Sequence, residues 1–360
     1  MNTAFIYALA AILCAALIAF TTTPAVRVFA FKINAVDIPK DNRRMHKNPI
    51  PQVGGLAIFF GFLVTTMIFC PLSPEMAATW AGSAVILVGG VLDDIYSLKP
   101  WQKLLFQFGS AAVAVFSGFR IDFIQLFGHY VSFGLLSVPL TLLWIVGMTN
   151  AINLIDGLDG LSCGVSAICS TTLMIIMFLK GDTHSAMITA AIVGACLGFL
   201  PFNANPASIF MGDTGAMFLG YIMALLSIEG LFKFHTVVSF LIPLSIFGLP
   251  LFDTGFAFFR RILHGKSPFS SDRGHIHHRL IDMGFNQKNS VRILYAICGI
   301  LGIASVLLSL GQYIKAAIVI AIGFLIFGVN ALLLKNPAAR AHFGMDLEAH
   351  TEEDEHEERH

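Results

Sequence analysis

The sequence predicts an all-α fold, a polytopic integral membrane helix bundle of about eleven transmembrane helices with its active site at the cytoplasmic face. Three observations carry this expectation. Of 360 residues, 56% are hydrophobic and only 12% charged, with a mean hydropathy of +0.78. A soluble domain carries roughly 25% charged residues. Apolar runs long enough to cross a bilayer recur along the chain, and the basic residues between them fall on one side.

The elements follow in order. Residues 4–20 are apolar, no positive charge precedes them, and Arg27 and Lys32 follow. A secretory signal has its positive charge first, so the run predicts an uncleaved first span over roughly 4–26 with its N-terminus outside. A membrane helix needs about 17 to 25 mostly apolar residues. By that measure further spans are expected near 52–70, 77–92, 104–119, 135–150, 161–179, 185–202, 214–230, 236–259, 292–310 and 315–334. Glycines and polar interruptions inside several of them suit helices facing other helices better than lipid.

With the first N-terminus outside, eighteen of the 22 Lys and Arg residues fall on the inner side, among them Arg43, Arg44, Lys47, Lys103, Arg260, Arg261 and Arg273. Only Arg120, Lys180, Lys233 and Lys315 remain outside. Cytoplasmic loops carry this excess of positive charge, so the C-terminus is expected in the cytoplasm. The six cysteines form no C-x-x-C pair and read as small apolar fillers. Acidic and basic residues balance at 22 each, and no nucleic acid is expected as a partner. Two regions are expected: a transmembrane domain over 1–335 and an acidic cytoplasmic tail over 336–360, ending EEDEHEERH and without fixed structure.

On this map the carboxylates and histidines collect at cytoplasmic helix ends and loops. Asp93 and Asp94 close the third span in GGVLDDIYSLKP. Ionisable groups at membrane depth suggest function, and adjacent carboxylates repel unless one binds a cation or shares a proton. An ordinary helix-end anchor is the alternative. NAINLIDGLDGLS places Asn150, Asn153, Asp156 and Asp159 at every third position. Such steps drift by about 60° and cannot share one helix face. Either the segment opens near Gly157 and Gly160, or its members serve different parts of one site. Their oxygens suit a hard cation such as Mg²⁺ or the edge of a ligand; capping Asp residues in a glycine-rich loop are the alternative.

FMGDTG sets Asp213 between two glycines where the eighth span begins. Glycine permits close approach of a phosphate, and a helix N-terminus attracts anions. A carboxylate there suits a metal shared with the phosphate, or else a simple N-cap. Phe210 before it is packing or ligand stacking. DRGHIHHRL gathers His275, His277 and His278 with Arg273 and Arg279. The arginines disfavour zinc, and the group suits a pyrophosphate better.

Taken together, these motifs resemble the polyprenyl-phosphate N-acetylhexosamine-1-phosphate transferase family. The matching elements, in family order, are IPKDNRRMHKNPIPQVGG, LDDIYSLKPWQK, NAINLIDGLDGLS, FMGDTGA, PLFDT and HIHHRL, and they cover residues 38–280. HIHH with DGLDG is similar to the bacterial branch that loads N-acetylglucosamine 1-phosphate onto undecaprenyl phosphate, which opens teichoic acid, O-antigen and related glycan synthesis. The branch that transfers phospho-MurNAc-pentapeptide usually has an uninterrupted histidine triplet, whereas Ile276 interrupts it here.

The resemblance implies that Asp213 and Asn153 bind Mg²⁺, with Mn²⁺ as a substitute, and that Asp93 and Asp94 serve the lipid phosphate. It implies that Asp156, Asp159, Asn203 and Phe210 line a uridine pocket, and that the histidines with Lys47, Lys103 and Arg273 hold sugar or phosphates. The implied partners are UDP-N-acetylglucosamine, undecaprenyl phosphate and the bilayer, with a homodimer left open. Joining two anions makes charge repulsion the main barrier, so a cation and a basic loop make chemical sense. The pentapeptide branch and, in another class, a membrane transporter or an aspartyl protease are the alternatives. A transporter should show charges near the midplane and an internal repeat, and neither is found.

Overall fold

The computed structural model describes residues 2–38, 49–126, 129–232, 241–265 and 275–333. Lys47, Arg273 and the acidic tail 336–360 lie outside the described residues. The helices are α1 (Asn2–Lys32), α2 (Gly55–Phe69), α3 (Pro74–Tyr96), α4 (Pro100–Phe116), α5 (Ser137–Ile155), α6 (Leu161–Lys180), α7 (Thr183–Asn203) and α8 (Gly212–Ser227). A π-helical turn, Ile228–Phe232, ends α8; then come α9 (Leu241–Ile246), α10 (Gly248–Leu263), α11 (Ile276–Asp282), α12 (Gln287–Ser309) and α13 (Tyr313–Leu333). Their ends are written in the sequence. The Ser73 side chain caps α3 and accepts from Met76 N at 3.1 Å, with Pro74 in the first turn. Asp182 and Asn286 cap α7 and α12 in the same way.

Among the described residues each expected apolar segment is mostly helical, with one departure from the expectation. The segment 236–259 is not one helix. Among its described residues α9 and α10 are separate, because Pro250 lacks the N–H an unbroken helix would use and its ring clashes with the preceding turn. The fold is otherwise mostly helical, as expected of an all-α bundle. Two small antiparallel ribbons are present, β1 (Val36–Asp37) with β2 (Ile50–Pro51), and β3 (Phe123–Leu126) with β4 (His129–Ser132).

Among the described residues, six segments are long and apolar enough to cross a membrane: Thr3–Lys32, Pro74–Tyr96, Gly134–Ile155, Leu161–Lys180, Thr183–Asn203 and Gln287–Ser309. The burial pattern is that of a protein dissolved in lipid. Large apolar side chains point outward, as with Leu13 and Leu17 on α1 or Phe252 and Phe259 on α10, while Thr65, Ser83, Ser110 and Ser166 are fully buried. Lipid offers apolar side chains as good a home as the interior, so close backbone packing through small residues replaces the hydrophobic drive. On α7, a Cβ at Gly194 or Gly198 would fall 2.2 Å from Ile12 O or 2.1 Å from Ala16 O of α1. The chain is a multi-pass membrane protein.

Helix α8 is the axis of the bundle. It packs against α2, α3, α5 and α6, and Thr214 to Ser227 are buried without a break. Its N-terminus is held by two glycines. A Cβ at Gly55 would lie 2.1 Å from Gly215 Cα, and one at Gly90 2.4 Å from Thr214 Cα. The segment before α2 also docks on the chain entering α8, through Phe210 N to Pro51 O (2.9 Å), Gly54 N to Phe210 O (3.0 Å) and Gly55 N to Met211 O (2.9 Å). This clamp fixes where Asp213 stands.

Candidate active site

The last turn of α3, the first turns of α4 and α8, and the end of α5 meet at one end of the bundle. Asp94 reaches across to α8. Its carboxylate accepts from Asp213 N at 2.9 Å, Thr214 N at 3.1 Å and Thr214 Oγ1 at 2.6 Å. The anion expected at this helix N-terminus is therefore a side chain of the protein, and Asp213 is not its N-cap. Gly212 makes the approach possible twice over. Its φ of +70° suits glycine, and a Cβ there would lie 2.5 Å from Asp94 Oδ2.

Asp93 faces the other way. Its Oδ1 accepts from Leu98 N at 2.7 Å, and its Oδ2 pairs with Lys103 Nζ. Lys103 Nζ also bonds Asp213 Oδ2 at 2.8 Å, so one ammonium joins two carboxylates. Asn153 Nδ2 donates to the other oxygen of Asp213. Residues from α3, α4, α5 and α8 thus converge on Asp213.

Helix α5 ends at Ile155, and the segment opens at Gly157 as one of the two expected alternatives allowed. The polar residues also divide among tasks. Asn150 Nδ2 bonds Gln107 Oε1 at 2.7 Å, Asn153 serves Asp213, and Asp159 Oδ2 accepts from Asn205 Nδ2 and Ala207 N, both at 3.0 Å. Asp159 thereby holds the loop that follows α7. Loss of solvent around Asp156, then the charges of Asp213, Asp94 and Asp159, push its carboxyl well above the usual carboxylate range.

The histidines reach this loop from the far side. His277 is buried, and a Cβ on Gly157 would lie 2.3 Å from its Nε2. Its ring stacks on His275 at a 5.8 Å centroid distance and lies 4.2 Å from that of His278. Burial, then the neighbouring His278, lowers the His277 pKa from 6.5 to about 4, so its ring is neutral at pH 7. His275 is oriented by Asp253 of α10, whose Oδ2 lies 2.9 Å from His275 Nδ1 while its Oδ1 accepts from Ile276 N at 2.8 Å.

Asn203 at the end of α7 donates to Ile209 O at 3.1 Å, and its Oδ1 is buried with no hydrogen-bond partner among the described residues. Phe210 is half-buried on the loop leading to α8. Every expected site residue within the described part lies on one of these connected segments. Gln107, Thr214 and Asp253 join them without having been singled out as site residues. Gln107 and Asp253 were visible as polar residues in apolar helices, whereas nothing local marks Thr214.

Among the described residues, Asp93 and Asp213 share the ammonium of Lys103, and Asp94 stands beside them on the N-terminus of α8. That is an excess of negative charge, and a hard divalent cation would balance it; the carboxylate and amide oxygens present are the donors Mg²⁺ prefers. Among the described residues, no group of three or more His, Cys, Asp or Glu could hold a metal ion.

The sequence profile of glycosyl transferase family 4 matches residues 76–231. The chain is 44% identical over 291 residues to a Bacillus subtilis protein named "Probable undecaprenyl-phosphate N-acetylglucosaminyl 1-phosphate transferase", covering 79% of this chain and 80% of that one. It is 34% identical to the decaprenyl-phosphate N-acetylglucosaminephosphotransferase of Mycobacterium tuberculosis, over 80% and 79% of the two chains. It is 26% identical to the undecaprenyl-phosphate alpha-N-acetylglucosaminyl 1-phosphate transferase of Escherichia coli, over 88% of each.

Proposed function

Because the chain belongs to glycosyl transferase family 4, we propose that it transfers N-acetylglucosamine 1-phosphate from UDP-N-acetylglucosamine to undecaprenyl phosphate and releases UMP. The names of the relatives supply the reaction. The observation that supports placing it at this site is the convergence of Asp93, Lys103, Asn153 and Asp213 beside the Asp94-capped end of α8. The product is a membrane-bound sugar carrier, the first intermediate of a cell-envelope glycan.

The chemistry is a single displacement. An oxygen of the acceptor phosphate forms a bond to the β-phosphorus of the donor. The bond from that phosphorus to the bridging oxygen breaks, and its electron pair leaves with UMP. The acceptor phosphate is already largely ionised at neutral pH, so no strong base is needed. Nor is a covalent aspartyl intermediate. Asp94 is engaged by three donors, and Asp93 by Leu98 N and Lys103.

The protein's task is to hold two anions together. Asp213 and Asn153 would hold Mg²⁺, or Mn²⁺ in its place, which supplies charge neutralisation on the diphosphate as UMP departs. Lys103 contributes a fixed positive charge at the same point. Asn203 Oδ1, buried without a partner, would accept the uracil N–H, and Phe210 and Asp156 would flank the nucleoside. His275, held by Asp253, and the neutral His277 would contact the sugar phosphate across the Gly157 loop. The site would face the cytoplasm in an eleven-span, N-out inner-membrane topology, so that the acceptor's tail stays in lipid while its phosphate meets a soluble donor.

The test is UMP release by detergent-solubilised enzyme from UDP-N-acetylglucosamine, UDP-N-acetylgalactosamine and UDP-MurNAc-pentapeptide. Release is expected with the first donor only, dependent on undecaprenyl phosphate and abolished by EDTA. A stoichiometric burst of UMP without lipid would overturn the direct attack, and full activity in EDTA would overturn the metal assignment.

A further inference from the structure

The two residues proposed to meet the nucleoside, Asp156 and Asn203, both stand at the end of a helix. Asp156 follows the last residue of α5, and Asn203 is the last residue of α7. The final carbonyls of a helix have no partner within it, so segments that leave a helix end are fixed by bonds from elsewhere.

Here those bonds come from α12, which carries none of the residues assigned to the site. Tyr295 Oη donates to Gly160 O at 2.5 Å, on the loop that carries Asp156. Gln287, the first residue of α12, accepts at Oε1 from Asn205 Nδ2 at 2.9 Å. The same amide donates to Asp159 Oδ2 at 3.0 Å, and Ala207 N reaches that oxygen at 3.0 Å. Gln287, Asn205 and Asp159 are thus one chain of bonds. It ties α12 to the segment just beyond Asn203 and to the loop just beyond Asp156.

The local sequence makes room for the tyrosine. A Cβ on Gly164 would lie 2.0 Å from Tyr295 Oη, and one on Gly160 would lie 3.4 Å from it. Positions four apart share one face of a helix, so these two glycines open the first turn of α6 to the hydroxyl. The histidine helix α11 precedes α12 by residues 283–286 alone. One stretch of chain therefore meets the loop twice, with His277 against Gly157 and Tyr295 on Gly160.

We infer that Tyr295 and Gln287 are positioning residues for the donor nucleotide. They act through Gly160, Asn205 and Asp159, and they set Asp156 and Asn203 at the spacing the nucleoside requires. The inference rests on the donor reading given above.

Steady-state kinetics of the purified, detergent-solubilised full chain test it, with Tyr295→Phe and Gln287→Met. Each variant deletes one bond and keeps most of the side chain's bulk. In each, the KM for UDP-N-acetylglucosamine should rise about threefold to tenfold, the worth of one hydrogen bond. Loss of binding shared by ground and transition states leaves kcat alone, so kcat and the KM for undecaprenyl phosphate should stay at wild-type values. Inhibition by UMP, which carries the same nucleoside, should weaken by the same factor. Ser305→Ala, which removes a bond to Leu301 O further along α12, should change none of these. Unchanged donor KM and UMP inhibition in both variants would overturn the inference, as would an equal rise in the KM for the lipid. A wild-type enzyme that turns over a different UDP-sugar would overturn the donor reading alone, and the same comparison on that sugar then decides the positioning. A wild-type protein that UMP does not inhibit would overturn both.

Discussion

Asp213 is the residue on which the site closes, since Lys103 and Asn153 reach it from two helices and its own N–H holds Asp94. Asp213→Ala should therefore cost about 10²- to 10⁴-fold in UMP release at normal expression, the range for losing one group that acts on the transition state. Activity within threefold of wild type would refute its role. His277 makes a different prediction, on stability. Its pKa is lowered to about 4 against 6.5 for an ordinary imidazole, so the unfolded chain binds more protons between those values. Its contribution is fully present above pH 6.5 and is lost as pH falls through 4. At pH 5 the loss is about 2 kcal/mol. Thermal unfolding at pH 7.5 and 5 should show a drop in Tm that His277→Gln largely removes. The sequence exposed Asp156 and Asp159 because they interrupt an apolar run, and HIHH because three histidines crowd one loop. It did not reveal that Asp94 caps α8 or that Lys103 bridges Asp93 and Asp213. Asp94 and Lys103 each lie more than a hundred residues from Asp213, and no local pattern encodes such a pairing.

At the scale of elements, composition and apolar run length located the helices, because a membrane segment must satisfy its own backbone. What they could not foresee was the break between α9 and α10, although Pro250 carried the signal, or the two short ribbons. β1–β2 positions Pro51, which pairs with Phe210 and so steers the chain into α8. The glycines are the less obvious message. GGVLDD reads as a flexible stretch, yet Gly90 is where α3 touches the backbone of α8 at Thr214. Gly90→Ala would separate the two helices by a methyl group just where Asp94 must reach Asp213 N and Thr214 N. Overpacking of this kind costs about 1–3 kcal/mol. The variant should fold with a lowered Tm and lose at least tenfold in UMP release. Gly198→Ala at the α1–α7 contact should lower Tm comparably and leave the rate per folded molecule unchanged. Equal losses of rate in the two would mean that the α3–α8 contact has no special bearing on the site.

At the scale of the whole molecule, the reaction imposes an orientation. The donor is a soluble nucleotide sugar and the acceptor a lipid, so the carboxylate end of the bundle must open to the compartment that holds the nucleotide. The skewed distribution of Lys and Arg predicts that this end lies in the cytoplasm, by a rule about insertion that is independent of the chemistry. Two exposed positions report on the two ends. Met283, 57% exposed just after the histidine helix α11, belongs to the site's end. Leu135, 98% exposed between β4 and α5, belongs to the other. In a Cys14→Ser background the remaining native cysteines are buried, and each position can be replaced singly by cysteine. Leu135→Cys should react with an impermeant thiol reagent on intact cells. Met283→Cys should react only after the cells are opened. Labelling of Met283→Cys alone in intact cells would place the carboxylates and histidines outside, away from any cytoplasmic nucleotide. The proposed donor would then have to be abandoned along with the topology, because the two stand on the same orientation.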